Sequence, residues 1–294
     1  MEEQFETYRP LLFSIAYRMV GSASDAEDLV QETYLRARTA PRDEIRSPKS
    51  YLSAIITHLC IDYLKSARVQ REQYIGPWLP EPLLTSDERL APLATVEQRE
   101  SISFAFMVLL ESLTPPERAV FLLHDVFDYS YEEIASIIGK SAANCRQLLH
   151  RARKGVAERR PRFEPSAEQQ RQIIGRFLAA CQQGNVDALT EVLAREVTTW
   201  SDGGGKAAAA TRPLHGRDKV SRFLLGLMSK APADLAFSEA EINGQPAVLL
   251  WIGGMLYDVM SFEIADGQIQ NLRVVLNPDK LAYLAQQLHG QPST

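Results

Sequence analysis

Between Lys140 and Arg162 the chain carries eight basic residues: Lys140, Arg146, Arg151, Arg153, Lys154, Arg159, Arg160 and Arg162. Only Glu158 opposes them, in a chain whose net charge is -5. A polyanion responds to local charge, so this stretch reads as an electrostatic footprint for nucleic acid, although a solvated helix face has the same composition. Helical spacing divides it further. Cys145, Leu148, Leu149 and Ala152 recur at i, i+3, i+4 and i+7 and form an apolar stripe. Ala143, Gln147, His150 and Lys154 lie opposite, flanked by Asn144, Arg146 and Arg151. Side-chain amides and guanidinium groups near a helix start can pair bidentately with base edges in a major groove. Arg151, Arg153 and Lys154, farther along, suit phosphates.

A second group is acidic. Asp25, Asp28, Leu29 and Glu32 share one helical face bordered by Gln31 and Thr33. An acidic rim around an apolar centre can dock on a basic partner, charge giving orientation and burial giving affinity. A third group is Asp202-Gly203-Gly204-Gly205-Lys206, where opposite charges flank a triple glycine that lets backbone approach backbone closely. No spacing supplies a nucleophile triad, an assignable acid–base pair or a metal-ligand set, so no catalytic residue, metal or cofactor is expected.

The elements that must position these groups are mostly helices. The apolar spacing predicts a helix over 5–20, stopped at Gly21-Ser22, and Ser24 with Glu27 predicts a capping box opening a helix to about Arg38. Ser47-Pro48 opens another to about Arg71. Its His58, Lys65, Arg68 and Arg71 can hold phosphates, and Tyr51 and Tyr63 either stack on bases or pack. Pro77, Pro80, Pro82 and Pro92 forbid helix from about 74 to 95, yet Trp78, Leu79, Leu83 and Leu84 are too apolar for a solvated tether. Thr114-Pro115-Pro116-Glu117 caps a helix expected to run to Phe127. Ser130 with Glu133 caps a short helix ending at Gly139, and Ser141 caps the basic one. A short helix, a glycine turn and a basic helix make a helix-turn-helix pattern.

From about Glu164 the pattern changes. Helices are expected from Ser166 to a stop at Gly184-Asn185, from 186 to 193 and from 216 to 228. Strands follow over 235–242, 247–252, 255–264 and 269–276, punctuated by Asn243-Gly244, Gly253-Gly254 and Asp266-Gly267, which read as hairpin turns of an antiparallel sheet. Hydrophobic residues make up 45% and charged residues 23% of the 294, ordinary values for a globular chain. No stretch approaches the ~20 apolar residues of a membrane span. The start, Met1-Glu2-Glu3-Gln4, has no secretory pattern, and Cys60, Cys145 and Cys181 lie too far apart for a disulfide framework. A cytoplasmic protein without a membrane partner is expected.

The residues Asp25-Ala26-Glu27-Asp28-Leu29-Val30-Gln31-Glu32-Thr33-Tyr34-Leu35 closely resemble the polymerase-binding helix of sigma-70 factors, particularly the extracytoplasmic-function (ECF) class. Leu113-Thr114-Pro115-Pro116-Glu117-Arg118 through His150-Arg151-Ala152-Arg153 resembles the ECF domain that reads the -35 promoter element. The resemblance covers about the first 160 residues and implies a bacterial initiation factor with core RNA polymerase and promoter DNA as partners. It implies polymerase contacts from Asp25, Asp28, Leu29, Gln31, Glu32 and Thr33. It implies -35 contacts from Ser141, Ala143, Asn144, Arg146, Gln147, His150, Arg151, Arg153 and Lys154, and -10 contacts from His58, Tyr63, Lys65, Arg68 and Arg71. The helices-then-sheet order of the C-terminal half resembles NTF2- or SnoaL-type cones, as fused in the SigJ-like ECF group. Trp78-Leu79-Pro80-Glu81-Pro82, Asp202-Gly203-Gly204-Gly205-Lys206 and Asn277-Pro278-Asp279-Lys280-Leu281 are similar to signatures of that group.

The expected architecture is therefore multidomain: two all-α sigma domains, 1–73 and 101–163, a proline-rich linker over 74–100, and an α+β cone over 164–294. The cone is expected to regulate the sigma domains from within the chain, the linker docking on the Asp202 loop with Asn277 to Leu281 as latch. The rival reading is a helix-turn-helix regulator whose cone senses a small-molecule ligand or acts as an isomerase-type enzyme. In that case Trp200, Asp202, Trp251, Tyr257 and Asp258 would line the pocket.

Overall fold

The computed structural model describes residues 2–39, 47–86, 100–157 and 165–289. The chain forms two compact units, one of residues 1–73 and 86–160, the other of residues 74–85 and 161–294.

The first unit is helical. Helix α1 (Glu2–Val20) ends where Gly21 takes a left-handed conformation, and α2 (Ala23–Arg38) begins at once. Its cap is Ser22, whose hydroxyl accepts from the Asp25 N–H at 3.1 Å. The expected cap at Ser24 is thus two residues late, and Glu27 instead pairs with Arg9 at 3.1 Å. Helix α3 (Pro48–Glu72) packs against both. Then come α4 (Phe104–Leu110) and α5 (Pro115–Phe121). The helix expected to continue to Phe127 widens after Phe121 into one π-helical turn over 122–126. The helix-turn-helix follows as α6 (Tyr131–Ile138) and α7 (Ala142–Ala157). Gly139, at φ 66°, makes the tight turn between them.

Residues 2–73 and 100–157 share one core. Tyr129, just before α6, shares a 2.7 Å hydrogen bond with Ser53 of α3, both buried. Two buried arginines strengthen the junction. Arg118 donates to the carbonyls of Leu110 at 3.0 Å and Met19 at 2.6 Å and pairs with Glu111 at 2.9 Å. Arg18 donates to Ser101 at 2.9 Å and to the Ser14 carbonyl at 3.2 Å. Burial lowers both guanidinium pKa values to about 10, so both remain cations held by oxygen acceptors.

The second unit is α+β, as the NTF2/SnoaL resemblance implies. Helices α8 (Ala167–Gln182) and α9 (Val186–Val192) lead directly into β1 (Leu193–Asp202). The short β2 (Leu214–His215) precedes α10 (Arg217–Met228). Strands β3 (Ala236–Ile242), β4 (Gln245–Ile252), β5 (Met255–Ala265) and β6 (Gln268–Val275) precede α11 (Pro278–His289). The expected hairpins form: Asn243-Gly244, Gly253-Gly254 and Asp266-Gly267 all have positive φ at both positions, the twist-matched two-residue turn. The sheet order is β2-β1-β6-β5-β4-β3. It is not wholly antiparallel, because β1 enters beside β6 in parallel. Strand β1 escaped prediction because its sequence, Leu-Ala-Arg-Glu-Val-Thr-Thr-Trp-Ser-Asp, alternates poorly and follows a helix without a break.

One sheet face packs against α8, α9 and α10 around Phe177, Leu189, Val220, Phe262 and Leu272. Among the described residues no helix is long and apolar enough to cross a membrane.

Candidate functional site

On α7 the stripe Cys145, Leu148, Leu149 and Ala152 is buried, and Ser141, Ala143, Asn144, Arg146, Gln147, His150, Arg151, Arg153 and Lys154 are exposed. The Ser141 hydroxyl caps the helix by accepting from the Asn144 N–H at 3.2 Å. The long cations are not equally loose. The Arg146 guanidinium lies 4.9 Å over the Tyr131 ring and 3.5 Å from Glu132. Arg153 donates to both carboxylate oxygens of Asp125, at 3.0 and 2.7 Å, which raises its pKa. Arg151 sits 3.8 Å from Glu117. The helix start therefore presents Asn144 and Gln147 beside a stacked Arg146, and the helix end presents cations partly matched by the unit's own acids. Arg159, Arg160 and Arg162 lie outside the described residues.

On α2, Asp28 and Gln31 are exposed, and Asp25, Leu29 and Glu32 are half-buried. Thr33 is fully buried, its hydroxyl donating to the Leu29 carbonyl at 2.8 Å, so it shapes the helix from inside. Sequence reading passed over Leu35 as a contact. It is 56% exposed and follows Asp28, Gln31 and Glu32 at i+7, giving the acidic face its apolar end. Glu32 pairs with Arg36 at 2.8 Å. On α3, His58 and Lys65 are exposed, and Lys65 pairs with Asp62 at 2.8 Å. The Tyr63 hydroxyl donates to Asp25 at 2.6 Å, which ties α3 to α2. Arg68 and Arg71 lie outside the described side chains.

The three patterns of the linker, the glycine loop and the 277–281 segment come together within the second unit. Asp202 ends β1 fully buried, and its carboxylate accepts from three donors. These are the Tyr74 hydroxyl at 2.5 Å, the Leu79 N–H at 2.8 Å and the Lys280 ammonium at 2.7 Å. Lys280 also donates to the Leu79 carbonyl at 2.5 Å and lies 4.3 Å over the Trp78 ring and 4.9 Å over that of Tyr74. Asn277 donates to the Tyr74 hydroxyl at 2.9 Å, and Lys206 bonds Asp279. Burial, then the Asp202 hydrogen bond, drives the Tyr74 pKa upward, so it stays a donor. Leu79, Pro80, Glu81 and Pro82 are buried, and so is Leu281 on α11. The segment then continues as a strand-like edge: Leu83 exchanges hydrogen bonds with Asn243, and Leu84 bridges Ile242 of β3.

The triple glycine is a steric requirement here. A Cβ on Gly204, at φ 58°, would stand 2.9 Å from the Tyr74 hydroxyl and overlap the Asn277 amide. One on Gly203 would overlap the Ala207 carbonyl. Beyond the glycines, Ala208, Ala209 and Ala210 line a cavity of about 570 Å³ on the helix-covered face of the sheet. Of the five residues expected around a pocket, Tyr257 and Asp258 line it; Trp200, Asp202 and Trp251 do not. Side chains alternate across a strand, so Thr199 and Ser201 face the cavity while Asp202 faces residues 74–79.

Residues 4–69 match the family of sigma-70 region 2, and residues 103–155 match that of sigma-70 region 4. The chain is 37% identical to the ECF RNA polymerase sigma factor SigJ of Mycobacterium tuberculosis, across 94% of this chain and 92% of that one. It is 34% identical to the probable ECF RNA polymerase sigma factor SigI of the same organism, across 97% and 96%. The SigJ crystal structure superposes with a TM-score of 0.76 at 35% identity, covering 96% of this chain and 98% of that one. Two sigma regions in order, a third domain shared along nearly the full length and a common fold lead to one conclusion: the chain belongs to the extracytoplasmic-function sigma factors of RNA polymerase.

Proposed function

We propose that the chain binds core RNA polymerase through the exposed face of α2, engages the -10 element with α3 and reads the -35 element with α7, in the cytoplasm, under control of its own C-terminal unit. The assignment of residues 1–73, 101–163 and 164–294 to these three roles, with 74–100 as linker, belongs to the same reading. Polymerase binding rests on the Asp28, Gln31, Glu32 and Leu35 face, acidic with an apolar end and oriented outward. Base reading rests on the exposed Asn144, Arg146 and Gln147 at the start of a capped helix.

The observation that carries the regulatory part is the capture of residues 74–85. This segment directly follows α3 in the chain, and Asp202, Lys280 and Asn277 bind its backbone and its Tyr74 side chain. A linker held over residues 74–85 leaves less free chain for α3 and α7 to move apart, and a promoter presents their targets at separate places along the duplex. Loosening the clamp changes transcriptional output without touching a DNA-facing residue.

Run-off transcription with core polymerase tests both parts. Asp28→Arg with Glu32→Arg should weaken polymerase binding at least tenfold by reversing the docking charge. Lys280→Ala, with α2 and α7 intact, should leave polymerase affinity unchanged and shift transcript yield severalfold. Unchanged polymerase affinity in the first variant would refute the docking face. Unchanged yield in the second, with residues 76–84 demonstrably loosened by hydrogen exchange, would refute the regulatory reading.

A further inference from the structure

The cavity of the second unit is walled almost entirely by apolar side chains, among them Phe223, Leu224, Met228, Leu250, Met260 and Leu276. Thr199, Ser201 and Asp258 are the buried polar residues among that lining. The Asp258 Oδ1 and the Thr199 Oγ1 are nearly closed to solvent, and neither has a hydrogen-bond partner among the described residues. An orphaned buried carboxyl oxygen costs stability, and native proteins seldom retain one without a use. Its position is built in. The β4–β5 register skips one residue between the pairs Leu250↔Asp258 and Trp251↔Leu256, so Tyr257 is extra. Such a bulge re-aims the side chains beside it, and here Tyr257 and Asp258, neighbours in sequence, both reach the cavity.

We propose that this cavity binds a largely apolar small molecule through one hydrogen-bond donor, an amine or a hydroxyl, seated on Asp258 with Thr199 as the second polar contact. The volume, about 570 Å³, lies within the range of small-molecule sites. Leu227 and Tyr257, both substantially exposed, give it an apolar mouth. The charged groups among the lining residues are Asp258, inside, and Lys230, exposed in solvent. Burial pushes the Asp258 carboxyl up to about 7, so it meets a ligand either as a neutral acid or as an anion that an amine would neutralise. An anionic ligand gains nothing at this point. The inference concerns binding alone and stands apart from the regulatory reading above.

The test is isothermal titration of the full chain with benzyl, naphthylmethyl and anthracenylmethyl probes, each as amine and alcohol, and with the matching ring carboxylates. At least one ring size should bind one per chain, with amine and alcohol at least tenfold tighter than the carboxylate. Asp258→Leu should remove that preference, Thr199→Val should weaken the alcohol severalfold, and Lys230→Ala should change neither. Leu250→Trp, which fills the cavity, should abolish binding; should it fail to fold, Asp258→Asn at nearly the same volume still decides the headgroup preference. Equal affinities across the three headgroups, full affinity in Asp258→Leu, or no saturable binding by any ring size would overturn the proposal.

Discussion

The Lys280 ammonium and the Asp202 carboxylate meet at 2.7 Å with both side chains buried, and the same ammonium reaches the Leu79 carbonyl. The pair is the junction of α11, β1 and the 74–85 segment. A buried pair of this kind contributes little relative to a well-packed apolar substitute, but removing one partner strands a charge.

Lys280→Ala should therefore destabilise the second unit by about 3–5 kcal/mol, and Asp202→Ala by a similar amount. The double variant Asp202→Leu with Lys280→Met should recover most of that loss. Denaturant melts of the full chain, with m-values checked for constancy, measure both. Additive losses in the double variant would mean that the two charges act independently.

Gly204 and Gly254 separate conformation from space. Both have positive φ, but a Cβ on Gly254 meets nothing within 4 Å, whereas one on Gly204 overlaps Asn277 and crowds Tyr74. Gly254→Ala should cost only the left-handed penalty of about 1–2 kcal/mol. Gly204→Ala should cost more and should also loosen residues 74–79. Thermal melts paired with hydrogen exchange over that segment check the contrast.

Stability should depend on pH through Asp258. Burial raises its folded pKa to about 7, well above an unfolded carboxyl near ~3.9. Its favourable contribution is complete below the unfolded value and is lost as pH rises through the folded one. The loss reaches at most roughly 4 kcal/mol, the cost of ionising a buried carboxyl. Asp258→Asn should flatten the profile between about pH 4 and 7 relative to the parent. An unchanged slope in chemical-denaturation profiles across that window would contradict the assignment.

On α7, proposed to read the -35 element, Arg146→Ala should lose about 1–3 kcal/mol of discrimination between a cognate and a mutated -35 site. Tyr131→Leu, which removes the ring under Arg146, should do the same in weaker form. Lys154→Ala should lower affinity uniformly and reduce the salt slope by about one charge. Asp125→Ala releases Arg153 from its bidentate partner and should raise non-specific affinity. Fluorescence anisotropy over a salt series distinguishes these outcomes.

Much of this was legible because local chemistry and tertiary need agree. The capping boxes at Thr114, Ser130 and Ser166, the Gly139 turn and the three hairpins are short-range devices, and each forms as its residues dictate. The cap at Ser24 failed because Gly21 ends α1 so tightly that α2 restarts on the next available hydroxyl, Ser22. Strand β1 failed because its pairing partner, β6, lies some seventy residues downstream and imposes a conformation its own sequence hardly signals. The clamp was legible only as three patterns that resemble a family. That Asp202 would face residues 74–79 and Ser201 the cavity depends on the parity of a strand that sequence did not reveal. Leu35 was missed because a leucine in a helix is ordinarily read as core.

Strand β1 serves two masters on its two faces: Thr199 and Ser201 look into the cavity, and Asp202, one residue on, holds the segment that follows α3. A period of two keeps their side chains from sharing partners. Residues lining the cavity can therefore be exchanged without touching the Asp202 junction. Divergence among relatives should accordingly fall unevenly along this strand, alternating from one position to the next between drift and constraint.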